Sequence, residues 1–302
     1  MGSFRAGVDR WFREVIDGEH SIEPAVLIGV LVAVASWWVG TRRGDVTVDI
    51  GLASVATFLY GVLLAFTIVR TRERLALVQD LISKSNSCLL SLHQMVEIFS
   101  PEERTRIRGL IDRHLTDQID YRLVDNHITM PSFVALTEGV FALAPTTRQQ
   151  ELLYREVSRV AIEMTEYRSL TESSVGQSLS SLEWVSLLLL LVVLLGLIAV
   201  LPGGSIFGAV IAGVLAGTLV SLMALLRKLD LLRWHERVSI WEPTTRIFRS
   251  MGLDPYVPRM VIDGGRYLPT GRVRVVDYPD PYPNRSTKVV TLEEMGENGA
   301  RV

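Results

Sequence analysis

Charge is absent from four long stretches of this 302-residue chain, and that absence restricts it more than anything present. Pro24 to Thr41, Ile50 to Val69, Trp184 to Leu201 and Ser205 to Leu226 contain no Asp, Glu, Lys or Arg. Each is about 20 residues long, and at a rise of about 1.5 Å per residue such a helix matches a hydrocarbon layer of about 30 Å. Coupled transporters place ionisable groups inside their spans to hold the driving ion, so a chain without them is not expected to pump. Cysteine is nearly absent too. The single Cys88 excludes an intrachain disulfide and a thiolate metal cluster, and reads as a small buried or half-buried residue. No sign of charge is in large excess. The net charge is −2, so no general affinity for nucleic acid follows. A glycine-rich phosphate loop and a nucleophile elbow are both missing, and Gly264-Gly265 stands alone. No catalytic residue, metal ligand or cofactor is therefore assigned, and an enzyme is not expected.

The remaining sequence predicts an all-α integral membrane protein, with four transmembrane helices in a 2+2 arrangement around a cytosolic helical bundle. Residues 1–23 are expected to form an interfacial helix, with Phe4, Val8, Trp11, Phe12 and Val15 on its apolar face. Residues 24–69 hold spans one and two, and 182–226 hold spans three and four. Residues 70–181 are the bundle. The second span is expected to continue into it without a break, since neither proline nor glycine occurs in 70–99. Ser100-Pro-Glu-Glu is a helix start, with a serine cap, proline at the first position and acids in the first turn. Met130-Pro131 and Pro145 mark further boundaries, and a helix from Thr147 is expected to run toward the third span. Residues 227–262 extend the fourth span as helix. Residues 263–302, rich in Gly, Pro and Tyr, are expected to be extended or disordered.

Arg5, Arg10 and Arg13 precede the first span; Arg70, Arg72 and Arg74 follow the second; Arg227, Lys228, Arg233 and Arg237 follow the fourth. The loop from Leu201 to Ser205 has no charge, and only Arg42 and Arg43 count against the bias. The positive-inside rule then gives a multi-pass cell-membrane protein with both termini cytoplasmic and the lipid bilayer as its first partner.

Two spans have character. The fourth carries small residues at every fourth position, Ala209, Gly213, Gly217 and Ser221, beside a second row of Gly208, Ala212 and Ala216. Such rows let helix backbones approach closely in lipid. The second is slim and bears hydroxyls: Ser54, Thr57, Gly61, Leu64 or Ala65, and Ile68 share a face. That face either lines a passage or buries hydroxyls that bond the preceding turn. His114, Asp117 and Asp120 recur at three-residue steps and read as a solvated helix face.

Gly61-Val-Leu-Leu-Ala-Phe-Thr-Ile-Val-Arg70, with Asp80 ten residues on, resembles the bestrophin pattern of a slim pore span that ends in arginine. Leu182-Glu-Trp184 and Leu229-Asp230 fit the same plan. Over roughly 22–262 the chain is similar to the bestrophin-like family of bacterial membrane proteins. The resemblance implies a homo-oligomer, a pentamer, that passes anions. Its second spans would line the pore through Ser54, Thr57, Gly61, Leu64, Ala65 and Ile68, with Arg70 and Arg72 at the cytosolic exit. Gln79-Asp80-Leu81 replaces the family's Glu-Ala-Arg, and Leu231-Leu232 its Pro-Phe. The acidic calcium cluster of animal bestrophins has no counterpart, so calcium gating is not implied. The alternative is a non-conducting scaffold whose bundle and Tyr/Pro-rich tail bind a partner.

Overall fold

The computed structural model describes residues 22–42, 50–200, 205–230, 242–265 and 268–296. The expected interfacial helix and the expected helical extension through 231–241 lie outside the described residues. The chain divides into two compact units, Met1–Leu75 with Ser178–Trp234, and Ala76–Gln177 with His235–Val302.

The first unit holds α1 (Ile22–Arg42), the start of α2 (Ile50–Val96), α6 (Ser181–Val200) and α7 (Ile206–Asp230). Among the described residues, three stretches are long and apolar enough to cross a membrane. They lie in Ser54–Val96, in Arg148–Val200 and in Ile206–Asp230, and the apolar part of α1, Ala25–Thr41, is shorter. Their outward residues are apolar: Val30 and Val34 on α1, Val185, Leu189 and Val192 on α6, and Val210 and Val214 on α7 are all exposed. A face of that kind is stable against lipid rather than water. Inward, Leu187, Leu191 and Leu194 of α6 meet Tyr60 and Leu64 of α2 and Met223 and Leu226 of α7.

Small residues set how α1 and α7 meet. A Cβ added to Gly213 would lie 2.8 Å from the Gly29 carbonyl oxygen and 2.9 Å from the Ala33 Cβ. One added to Gly29 would lie 2.7 Å from the Gly213 carbonyl oxygen. The two backbones are thus in contact at a spot where only glycine fits. Ala209 is buried and Gly217 half-buried on the same side. Ser221 departs from the expected packing row: it is exposed, and its hydroxyl donates to the Gly217 carbonyl.

The second unit holds the rest of α2, then α3 (Pro101–Asp120), a 3-10 turn (Leu123–Thr129), α4 (Met130–Phe141) and α5 (Arg148–Gly176). α3 begins with a reciprocal cap, in which Ser100 accepts from the Glu103 amide and Glu103 accepts from the Ser100 amide. Thr147 and Gln150 do the same for α5. α5 does not run on into the third span. It stops at Gly176, and α6 starts anew at Ser181. A Ser180–Glu183 pair caps that start, with the Ser180 amide donating to Glu183 at 2.7 Å. The core joins Leu89, Leu92 and Val96 of α2 to Ile107, Ile111 and Leu115 of α3, Leu136 and Val140 of α4, and Val157, Val160 and Met164 of α5. Cys88 lies in this core and is unbridged.

The fold is mostly helical, but all-α is corrected by a small sheet. After α8 (Glu242–Ser250), β1 (Tyr256–Pro258) leads into α9 (Arg259–Asp263), β2 (Gly271–Asp277) and β3 (Val289–Met295). The order is β1-β2-β3, with β1 and β2 parallel and β2 and β3 antiparallel, from Gly271 opposite Met295 to Asp277 opposite Val289. Residues 271–277 and 289–295 are therefore paired strands, joined by the turns of 278–288. Val273 and Val275 of β2 are buried with Val257, Val261 and Met295, while Val276 points into the helical core. This in-out alternation makes the sheet a lid on the helices of its unit. Arg274 adds a bidentate pair to Asp112 of α3, at 2.6 and 3.0 Å.

Candidate functional site

The expected lining residues of α2 do not all lie together. Ser54, Thr57, Gly61 and Ala65 are exposed on the first unit, and Ile68 is half-buried. Around Gly61 nothing lies within 4 Å of an added Cβ, so among the described residues no contact requires a glycine there. Phe58 and Phe66, exposed at 69% and 72%, flank the same slim strip. Leu64 is corrected. It is only 4% exposed and packs with Tyr60 in the α6–α7 cluster. Residues four apart lie one above the other on a helix, so Leu64 follows Tyr60 inward while Ala65 follows Gly61 outward. Further along, Thr67 and Thr71 donate their hydroxyls to the carbonyls of Leu63 and Thr67, both at 2.7 Å. That is the ordinary use of a hydroxyl inside an apolar helix.

At the end of the apolar stretch the arginines separate into distinct roles. Arg70 donates to Glu183 at 2.7 Å with its side chain 63% exposed. It is thus not a lone charge, and such an exposed pair contributes less than about 1 kcal/mol. Arg72 is exposed. Arg74 turns inward along the stripe of Tyr60, Leu64, Thr71 and Val78, all of them buried. Its guanidinium donates to the Asp230 backbone carbonyl at 3.1 Å and to the Asp230 carboxylate at 3.3 Å.

Asp230, the last residue of α7, gathers three elements. Besides Arg74 of α2, it accepts from the Leu179 amide ahead of α6 at 3.0 Å and from the Trp184 indole of α6 at 3.2 Å. The Arg227 guanidinium lies 5.3 Å from the centre of the Trp184 ring. Both charges of the Arg74–Asp230 pair are buried, and the carboxylate has a donor on each oxygen. The sequence offers both halves of this anchor, Arg74 in a basic cluster and Asp230 after the last span. It does not offer their pairing, which lies across 156 residues.

In the second unit the expected solvated face of α3 is corrected at two of its three positions. His114 is fully buried. Its Nδ1 lies 3.4 Å from the Ser132 hydroxyl, which itself donates to the Thr129 carbonyl at 3.0 Å. Its Nε2 lies 3.0 Å from the Gln118 amide nitrogen. Nδ1 is therefore the protonated nitrogen and Nε2 the acceptor. Burial, and next the Arg168 cation, lower the His114 pKa to about 3. Asp120 is buried under the sheet. It accepts from Tyr256 at 2.7 Å, from Tyr278, and from the Lys288 ammonium at 2.6 Å. Burial, then the charge of Asp120 and its neighbours, pushes both phenols far up. Tyr282 donates to Asp125, and burial first and that bond second push it up to about 12. The tyrosines of the expected free tail thus serve their own unit. Among the described residues, no cluster of His, Cys, Asp and Glu suits a metal ion.

A family model described as a bestrophin-like domain matches residues 23–230. Among solved structures, a crystal structure of a mutant membrane protein is similar with a TM-score of 0.61 at 10% identity, over 78% of this chain and 100% of that one. A mutant of a bacterial bestrophin homologue from Klebsiella pneumoniae is similar with a TM-score of 0.59 at 10% identity, over 76% of this chain and 97% of that one. Another mutant of the homologue gives 0.58 at 11%, over 77% and 99%. At such identities the likeness is one of fold. No curated protein sequence matches this chain.

Proposed function

We propose, from the fact that this chain belongs to the bestrophin-like family, that it is an ion channel built from several copies of itself. Four spans cross the cell membrane, both termini are cytoplasmic, and the second spans surround a central pore. The uncovered slim strip of α2, Ser54, Thr57, Gly61 and Ala65, carries this reading. An exposed strip of small and hydroxyl side chains suits a wall shared around an axis. Ile68 narrows its inner end and Leu64 supports it from behind. Arg72, beside Arg70 in its pair with Glu183, rings the exit and favours anions. Five copies is the number that the family resemblance supports.

The test uses the chain's one native cysteine, which is buried in the second unit. In planar bilayers the protein should carry a current whose reversal potential follows a chloride gradient. Thr57→Cys and Ala65→Cys should be blocked by a charged thiol reagent, and Leu64→Cys should resist it. Absence of current, or equal block at all three positions, defeats the proposal. A monomeric mass in detergent leaves the non-conducting scaffold in its place.

A further inference from the structure

A cavity of about 50 Å³ opens in the second unit, between α2, α3, the 3-10 turn and α5. Asn86 and Arg168 line it, and each is only 6% exposed. Each also keeps a buried donor without a partner: the Asn86 side-chain nitrogen and the Arg168 Nε. Buried donors are nearly always satisfied, so two of them at one cavity point to something that accepts. Arg168 is otherwise well held. Its terminal nitrogens donate to the Thr129 hydroxyl at 3.1 Å and to the Asn126 carbonyl at 2.7 Å, and Glu172 lies at 3.1 Å. The guanidinium also covers the Phe133 ring at 4.9 Å.

Charge selects the occupant. Arg122, which is exposed, is the second cation lining the cavity, and no carboxylate lines it among the described residues. Glu172 meets Arg168 but is not part of the lining. His114 contributes no charge, since its Nε2 accepts from Gln118 and burial keeps it neutral. Ile82 and Phe133 form an apolar side that favours a compact ligand over a strongly hydrated one. We infer that this cavity is a binding site for a small oxyanion, a short carboxylate or an inorganic oxyanion, held by the Asn86 amide and the Arg168 guanidinium. The Arg168 Nε–H and the Asn86 amide together offer one donor each to two oxygens of such an anion. The site shares no residue with α2's slim strip and does not rest on conduction.

The full chain in detergent is titrated with sodium formate, acetate, nitrate, phosphate and chloride at constant ionic strength. Binding is followed by calorimetry and by hydrogen exchange in α3 and the 3-10 turn. Saturable binding of a carboxylate or an inorganic oxyanion at millimolar concentrations, with slowed exchange, is the expected result, and the arms tell the two sources apart. Asn86→Asp keeps the shape and replaces the donor by a carboxylate. It should weaken binding by about tenfold to a hundredfold, the effect of losing one hydrogen bond to a charged group. Arg168→Gln should weaken it further. If that variant fails to fold, Asn86→Asp alone decides. Saturation by chloride only, no saturation by any anion, or binding unchanged in Asn86→Asp would overturn the inference.

Discussion

Replacing Asp230 with Asn should unsettle the first unit more than any other single polar change in it. The side chains of Arg74 and Asp230 are 8% and 4% exposed, with 3.3 Å between the charged atoms. At an effective dielectric of about 20, the attraction at that distance is about 5 kcal/mol. Desolvation of both ions offsets much of that in the intact pair, but an Asn takes the Asp230 charge away from a buried Arg74 cation. Breaking such a pair from one side costs about 3–5 kcal/mol. The Asn also turns one acceptor oxygen into a donor, which then faces either the Leu179 amide or the Trp184 indole, both of which donate to Asp230. Glu183→Gln is the matched control. It removes the charge of the exposed Arg70 pair, keeps the cap at Ser180, and should cost less than about 1 kcal/mol. Melting of the detergent-solubilised protein, at roughly 2–4 °C per kcal/mol, should separate the two variants by about 10 °C. Arg74→Met combined with Asp230→Asn should recover part of the loss, because both halves of the same buried contact are then removed together. Equal melting of Asp230→Asn and Glu183→Gln, or strictly additive effects in the double variant, would refute the buried-pair argument.

Three further outcomes follow from the geometry. Gly213→Ala pushes a Cβ to 2.8 Å from the Gly29 carbonyl oxygen and should destabilise by about 1–3 kcal/mol, whereas Gly61→Ala meets open space and should be neutral or slightly stabilising; melting of both variants checks the contrast. His114 titrates near 3 when folded and near 6.5 when unfolded, so the unfolded chain takes up the proton first. Stability should be constant above pH 6.5 and fall as the pH drops toward 3, by about 2 kcal/mol at pH 5, and His114→Asn should flatten that slope in a melting series. Asp120→Ala removes the acceptor shared by Tyr256, Tyr278 and Lys288 and should release β2 and β3, read as faster proteolysis within 264–296 while α3 to α5 stay protected.

What the sequence made legible was whatever depends on neighbours along the chain. The uncharged stretches, the Ser100 cap and the glycine row of α7 are all local patterns, and local physics reads them directly. Pairings across long separations were not legible, and they decide the roles of individual residues. Leu64 and Ala65 are equally plausible on a helical wheel anchored at Gly61; only Tyr60 and the leucines of α6 draw Leu64 inward. Asp120 looks like one more acid on a solvated face until Tyr256, Tyr278 and Lys288 arrive from 136 to 168 residues away. The same partners were hidden in the Gly/Pro/Tyr-rich end: its composition is that of a linker, but three of its polar side chains end on buried or half-buried acids of α3 and the 3-10 turn. Fixed in this way, Asp120 and Asp125 bracket a segment in which Tyr121, Arg122 and Leu123 line the cavity beside Asn86 and Arg168. A change at Tyr278 or Tyr282 therefore acts on the wall of that cavity through the acids it holds. Tyr282→Phe, which removes one donor from Asp125 and one acceptor from the Arg122 amide, is the mildest way to loosen that wall without touching its lining.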